Sequence, residues 1–235
     1  DSAVFLFTDV APPPVFEGDS PAFLPELTTA DAGIAVSHST NAFIGLSVVA
    51  DADVDGDGVD DLFFSEGLGV DIFGYSGVSM TSAMTEADAL WDYAVDVALY
   101  STALESVGDI NGDGHHDLLA WSALTDSIVW LTFDPTLGLV SFGEFLGKQP
   151  YGGVVEGLDD LDGDGFDDFA VSAAEEGAGG QVYIVYGQPF APASLFLEAV
   201  SVLVDGIDSG GGFGASVSSL GDVNGLGGGH VGEPP

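Results

Sequence analysis

Apolar residues in this chain come in short runs bounded by Gly, Ser and Asp, and the runs recur in pairs. One set comprises Leu62–Phe64, Leu118–Trp121 and Phe169–Val171. A second, following a turn, comprises Val70–Phe73, Ile128–Leu131 and Val182–Tyr186. Their β-branched and aromatic content and their turn-forming borders predict strands. Thr85–Val97 is compatible with a strand or a short helix. The longest runs, such as Ser127–Phe133, are far too short to span a bilayer.

Between the runs lies a repeated acidic loop. Asp53–Asp61, Asp109–Asp117 and Asp160–Asp168 align without gaps, and Asp222–Gly225 begins the same way before departing. The loop starts are 56, 51 and 62 residues apart, close to the period of a four-stranded propeller blade. Nine residues before each first Asp stands an aromatic or aliphatic residue, usually followed by Gly: Ile44-Gly45, Tyr100-Ser101, Tyr151-Gly152 and Phe213-Gly214. Each unit therefore reads strand, loop, strand, turn, strand, then a variable outer strand. This divides a single all-β domain, 1–235, into units 44–99, 100–150 and 151–212, with partial units 1–43 and 213–235. Ala3–Phe7 reads as the third strand of a unit, and 213–225 as the first strand and loop of one. Because unpaired sheet edges are usually covered, residues 3–8 are expected to pair with the unit begun at Phe213, in the same chain or in a neighbour.

Within the loops the residue types point to a hard cation. Calcium takes six to eight oxygens at about 2.3–2.6 Å in a flexible cage. A pattern Asp-x-Asp/Asn-x-Asp-Gly-x-x-Asp places short acidic side chains at alternate positions of a tightly curled backbone, with Gly at the sixth position for the turn. The expected ligands are the side chains at positions one, three, five and nine and the carbonyl at seven. These are Asp53, Asp55, Asp57, Val59 and Asp61; Asp109, Asn111, Asp113, His115 and Asp117; and Asp160, Asp162, Asp164, Phe166 and Asp168. An EF-hand needs a following helix and a carboxylate at position twelve, where this chain has Phe64, Ala120 and Val171. The fourth loop keeps Asp222 and Asn224 but has Leu226 and His230 at positions five and nine, and is read as degenerate. About three Ca2+ ions per chain are therefore expected.

Composition sharpens this picture. The chain has 39 acidic residues and one basic residue, Lys148, for a formal net charge of −38. Fifteen of those acids fall within 51–61, 109–117 and 159–168, so the charge is concentrated where metal would neutralise it. A polyanion is repelled by nucleic acid and by anionic membrane surfaces. There is no cysteine, hence no disulfide framework or thiol chemistry.

Phe213-Gly214, Gly221–Gly225 and the stretch from Asp160 to the closing Gly180–Gly187 resemble FG-GAP repeats, which build the seven-bladed propeller of integrin α-subunits and occur in many secreted bacterial proteins. The resemblance covers about residues 44–225. It implies a β-propeller-like array of four-stranded antiparallel blades, with calcium in loops between the first two strands of a blade. The chain departs from the pattern in having too few repeats for seven blades, in replacing most of the Phe-Gly pairs, and in its broken fourth loop.

No nucleophile elbow, HExxH zinc motif or P-loop occurs. His115 and His116 read as solvent-facing spacers of a metal loop, His38 has no recognisable partner, and Trp91, Trp121 and Trp130 read as core. The expectation is a non-enzymatic, calcium-stabilised adhesion or structural protein, extracellular or at the cell surface with its signal peptide removed. It is also expected to form homo-oligomers or filaments through its terminal half-units and to take a protein or glycan ligand. The alternatives are a carbohydrate-binding propeller and a non-catalytic fragment of a larger secreted hydrolase.

Overall fold

The computed structural model describes residues 2–6, 34–38, 44–66, 71–81, 83–94, 104–122, 127–146, 154–174, 179–189, 194–207 and 210–220. These residues form four sheets of mostly antiparallel strands. β1 (Ser2–Leu6) pairs antiparallel with β2 (Ile34–His38). β3 (Ile44–Ala52), β4 (Asp61–Glu66) and β5 (Asp71–Tyr75) make an antiparallel meander. The chain then leaves as β6 (Ala83–Thr85), parallel to β2, and returns as β7 (Trp91–Ala94) on the edge of β5.

The second meander is β8 (Leu104–Ser106), β9 (Leu118–Ser122), β10 (Ser127–Asp134) and β11 (Gly138–Leu146). Its last hairpin turns at Asp134, whose Oδ1 accepts the N–H groups of Thr136 and Leu137 at 2.7 and 2.9 Å. A side chain mimicking a backbone turn in this way is why Asp is favoured there. The third meander is β12 (Val155–Asp159), β13 (Asp168–Ala173) and β14 (Gln181–Val185). β15 (Ser194–Phe196) crosses to pair in parallel with β11, and after one helical turn β16 (Ser201–Asp205) closes the sheet on β14. Each of the three complete acidic loops thus joins the first two strands of a meander.

Alternation along the strands fills both faces of the sheets. In β4, Phe63 points to one cluster with Trp91, Leu118 and Leu131, while Leu62 and Phe64 point to another with Val36, Phe73 and Met84. In β10, Val129 and Leu131 join the first cluster. Ile128 and Trp130 face a third, with Phe145, Phe169 and Tyr183. Each interior cluster therefore lies between two consecutive sheets, and a sheet with both faces covered reads as continuous apolar sequence rather than clean alternation. Stacked rings anchor the clusters: Phe63 on Trp91 at 5.6 Å and Trp130 on Phe145 at 5.6 Å between centroids. The first strands of the three meanders lie side by side. Ser47 Oγ donates to the Leu104 carbonyl at 2.9 Å and accepts its N–H at 3.0 Å, and at Gly157 any Cβ would meet the Ser106 carbonyl at 2.8 Å.

Several expectations on the elements change. Thr85–Ala94 is not a helix: it is the end of β6, a single 3-10 turn over Glu86–Asp88, and β7, while 95–97 lie outside the described residues. Burial of Trp91 against Phe63 decides this, because β7 must lie flat along β5 to place that ring. At the amino-terminal end β1 takes β2 as its partner. Residues 213–220 instead form a turn followed by irregular backbone beside the sheet of the third meander, with the Phe213 N–H donating to the Gly179 carbonyl at 2.8 Å. No pairing of β1 with 213–220 occurs among the described residues. Residues 7 and 8, also expected in that pairing, lie outside them.

Candidate metal centres

The three complete loops share one hydrogen-bond scheme. The first-position carboxylate caps the curl: Asp53 accepts from Asp57 and Gly58 N–H at 3.0 and 2.8 Å. Asp109 accepts from Asp113 and Gly114 at 3.0 and 2.8 Å, and Asp160 from Asp164 and Gly165 at 3.0 Å each. Third-position oxygens of Asp55, Asn111 and Asp162 accept the fifth-position N–H, and fifth-position Asp57, Asp113 and Asp164 accept the seventh. The ninth-position carboxylate ties the loop's end to its beginning, since Asp61, Asp117 and Asp168 accept the N–H of Val54, Ile110 and Leu161. The sixth-position glycines have φ of 88°, 87° and 93°, a left-handed backbone that other residues adopt only with strain.

This curl gathers acid. In the first loop carboxylate oxygens of Asp53, Asp55 and Asp61, and in the third those of Asp160, Asp162 and Asp168, lie within 4.8 Å of one another. Asp57 and Asp164 stand outside those triads, each engaged with the seventh-position N–H. In the second loop Asn111 replaces a carboxylate, and its Nδ2 donates to Asp113 Oδ2 at 3.0 Å and Asp117 Oδ1 at 3.4 Å. The ninth-position acids are buried, and burial raises their pKa: Asp61 and Asp168 to about 6, and Asp117 to about 8 despite hydrogen bonding from Trp130 and Thr132. Asp55 is also raised, by burial and by the charge of Asp57. Clustered carboxylates held at this separation repel one another, and a divalent cation relieves that repulsion. Hard oxygen donors converging without any nitrogen or sulfur ligand fit calcium or magnesium rather than zinc.

The loops also touch each other, which sequence reasoning missed. His116 N–H donates to the Asp53 carbonyl, and Asp167 N–H to the Asp109 carbonyl, both at 3.1 Å: eighth position onto the first position of the loop before. Seventh-position rings pack on fourth-position glycines. A Cβ at Gly56 would meet the His115 ring at 2.9 Å, and one at Gly112 would run into Phe166. His115 and His116 are therefore half-buried contacts between loops rather than solvent-facing spacers, and the His115 ring also packs on Phe133 at 5.2 Å. The available signal was that the fourth position is Gly in all three loops, where the backbone is left-handed and, in the first two, a ring of the next loop lies against it. Asp222 and Asn224 of the degenerate loop lie outside the described residues, and so does Lys148. The side chain of His38 is likewise not described.

Fold and site together define an all-β repeat whose units each carry an acidic hairpin loop. Comparison with protein families matches residues 152–185, the first three strands and loop of the third meander, to the FG-GAP repeat. Comparison with curated proteins finds no match.

Proposed function

We propose that this chain is a calcium-stabilised adhesion or structural module that works outside the cell, its meanders arranged as blades of a β-propeller. The observation that carries the reading is the pair of carboxylate triads, Asp53/Asp55/Asp61 and Asp160/Asp162/Asp168, held at equivalent places in two meanders. The FG-GAP match over one of them supports the same reading. Each complete loop takes one Ca2+ through its side chains at positions one, three, five and nine and the carbonyl at seven. Asp57 and Asp164 swing from their backbone partners to do so, and Asn111 turns its amide to present oxygen. The second loop binds more weakly than the others because it carries one carboxylate fewer. The fourth loop stays empty.

The protein acts by binding and not by catalysis: its clustered acids are placed to hold metal. Among the described residues no helix is long and apolar enough to cross a membrane. The lectin alternative loses two of its sugar platforms, since Trp91 and Trp130 are 7 % and 1 % exposed. Self-association finds support in β16, an edge strand on which Val202, Leu203 and Val204 are all exposed. Sedimentation of the calcium-loaded chain, with glycan-array binding in parallel, tests the reading. Assembly without glycan binding supports it; saturable glycan binding by a monomer overturns it in favour of the lectin.

A further inference from the structure

The strand behind each loop differs from meander to meander. Tyr75 pairs with Leu62 and Leu131 with Leu118, so the next residues, Ser76 and Thr132, fall opposite the ninth-position acids Asp61 and Asp117. Both side chains are buried, Ser76 at 2 % and Thr132 at 6 % exposure. Thr132 Oγ1 donates to the fifth-position Asp113 Oδ2 at 3.1 Å and also hydrogen-bonds to Asp117. Ser76 lies within reach of the third-position Asp55, whose negative charge it favours, yet its Oγ makes no close hydrogen bond. A buried hydroxyl whose carboxylate neighbour stands beyond ordinary hydrogen-bond length is poorly satisfied, and such groups in native proteins have a reason to be there. In the third meander Val185 pairs with Phe169, which sets Tyr186 opposite Asp168, a longer side chain whose oxygen stands farther from its backbone.

The donor count gives the reason. At one oxygen per side chain, four side chains and one carbonyl per loop give five donors against the six to eight that calcium takes, so a bidentate carboxylate, a water or a further protein oxygen completes the shell. A hydroxyl has lone pairs free for a cation even while its proton is donated to a carboxylate. We propose that Ser76 and Thr132 are strand-borne oxygen donors of the first and second metal sites, a contribution that the third site lacks. This rests on the loops binding calcium as read above. It makes the site a joint property of loop and strand: the cation pins the third strand of the meander to the loop between the first two.

The test is calcium titration calorimetry on the full chain, unmutated and as Ser76→Ala, Ser76→Thr and Thr132→Val, with thermal melts of each in chelator. The unmutated chain is expected to show three sites. Ser76→Ala and Thr132→Val are each expected to weaken one site by about 10–100-fold, the range for groups supporting a metal's ligands, leaving the other two unchanged. Ser76→Thr restores the affinity because it restores the oxygen. In chelator Ser76→Ala melts close to the unmutated chain, whereas Thr132→Val melts lower through the lost hydrogen bonds to Asp113 and Asp117 and is expected to lose more in calcium than in chelator. Three unaltered sites in both variants overturn the inference while leaving the calcium reading intact. A drop in melting temperature equal with and without calcium also overturns it, by making the hydroxyls structural. No binding by the unmutated chain removes both.

Discussion

Asp167 and Asp109 hold each other twice: the Asp167 N–H donates to the Asp109 carbonyl at 3.1 Å, and the Asp109 N–H donates to Asp167 Oδ2 at 2.8 Å. Asp167 belongs to the third loop, next to the candidate ligand Asp168, but its carboxylate serves the second. The second and third loops are thus bolted together at the residue that begins the second loop. Asp167→Ala removes a hydrogen bond to a charged group, worth about 1.5–3 kcal/mol. Urea unfolding is expected to show a loss of that order, while the calcium count per chain stays the same. A loss of the third calcium would instead make Asp167 a ligand.

The ring contact between loops makes a second prediction. Gly112 has φ of 78°, and a Cβ there would run into Phe166. Gly112→Ala is expected to cost about 1–3 kcal/mol from the left-handed backbone alone, with the collision in addition. Adding Phe166→Ala relieves only the collision, so the double variant should be less destabilised than the two single changes summed. Strict additivity in urea unfolding would contradict the contact.

Metal stoichiometry separates complete loops from the broken one. Native mass spectrometry is expected to count three calciums on the unmutated chain and two on Asp164→Ala. Asp222→Ala should leave the count at three, because Leu226 and His230 already deprive its loop of oxygen donors. Four full-occupancy calciums would show that the last loop is functional.

A pH effect follows from the first strands. Burial, then the charges of Glu156 and Asp51, pushes Glu105 up to about 7. A carboxyl whose folded pKa lies above its unfolded value of about 4.3 binds its proton more tightly in the native state. It therefore contributes stability that is fully present below the unfolded value and is lost as pH rises through the folded one. The raised Asp61, Asp117 and Asp168 act in the same direction in the metal-free protein. In chelator, unfolding free energy should be greater near about pH 5.5 than near about pH 8, and Glu105→Gln should flatten part of that slope. An unchanged slope in the variant would place Glu105 outside the effect. Calcium affinity should move the opposite way, falling with pH as protons compete for the loops.

Much of the strand order was legible because each meander repeats a local pattern: an acidic loop, then two apolar runs separated by a turn. Leu62–Phe64, Leu118–Trp121 and Phe169–Val171 all lie in second strands, as their composition indicates. The loops were equally plain, since the turn glycines and the alternating acids are local requirements of one curled backbone. What was not legible depends on distant parts of the chain. β6 and β15 are three residues each, too short to show alternation, and both exist by pairing in parallel with the outer strand of the preceding sheet. Likewise the seventh position looked free to vary, although Phe166 and His115 are fitted to glycines of another loop. Ser76 and Thr132 carried no signal because their place opposite Asp61 and Asp117 depends on strand register.

The central claim is that divalent metal holds these acidic loops, and through them the sheets, together. A thermal melt with and without chelator at low ionic strength tests it most directly. A ligand present at a hundredfold excess over its dissociation constant stabilises the native state by about 2.7 kcal/mol per site, so calcium at saturating concentration should raise the melting temperature by many degrees and chelator should abolish the gain. A melting temperature unaffected by chelator would contradict the account.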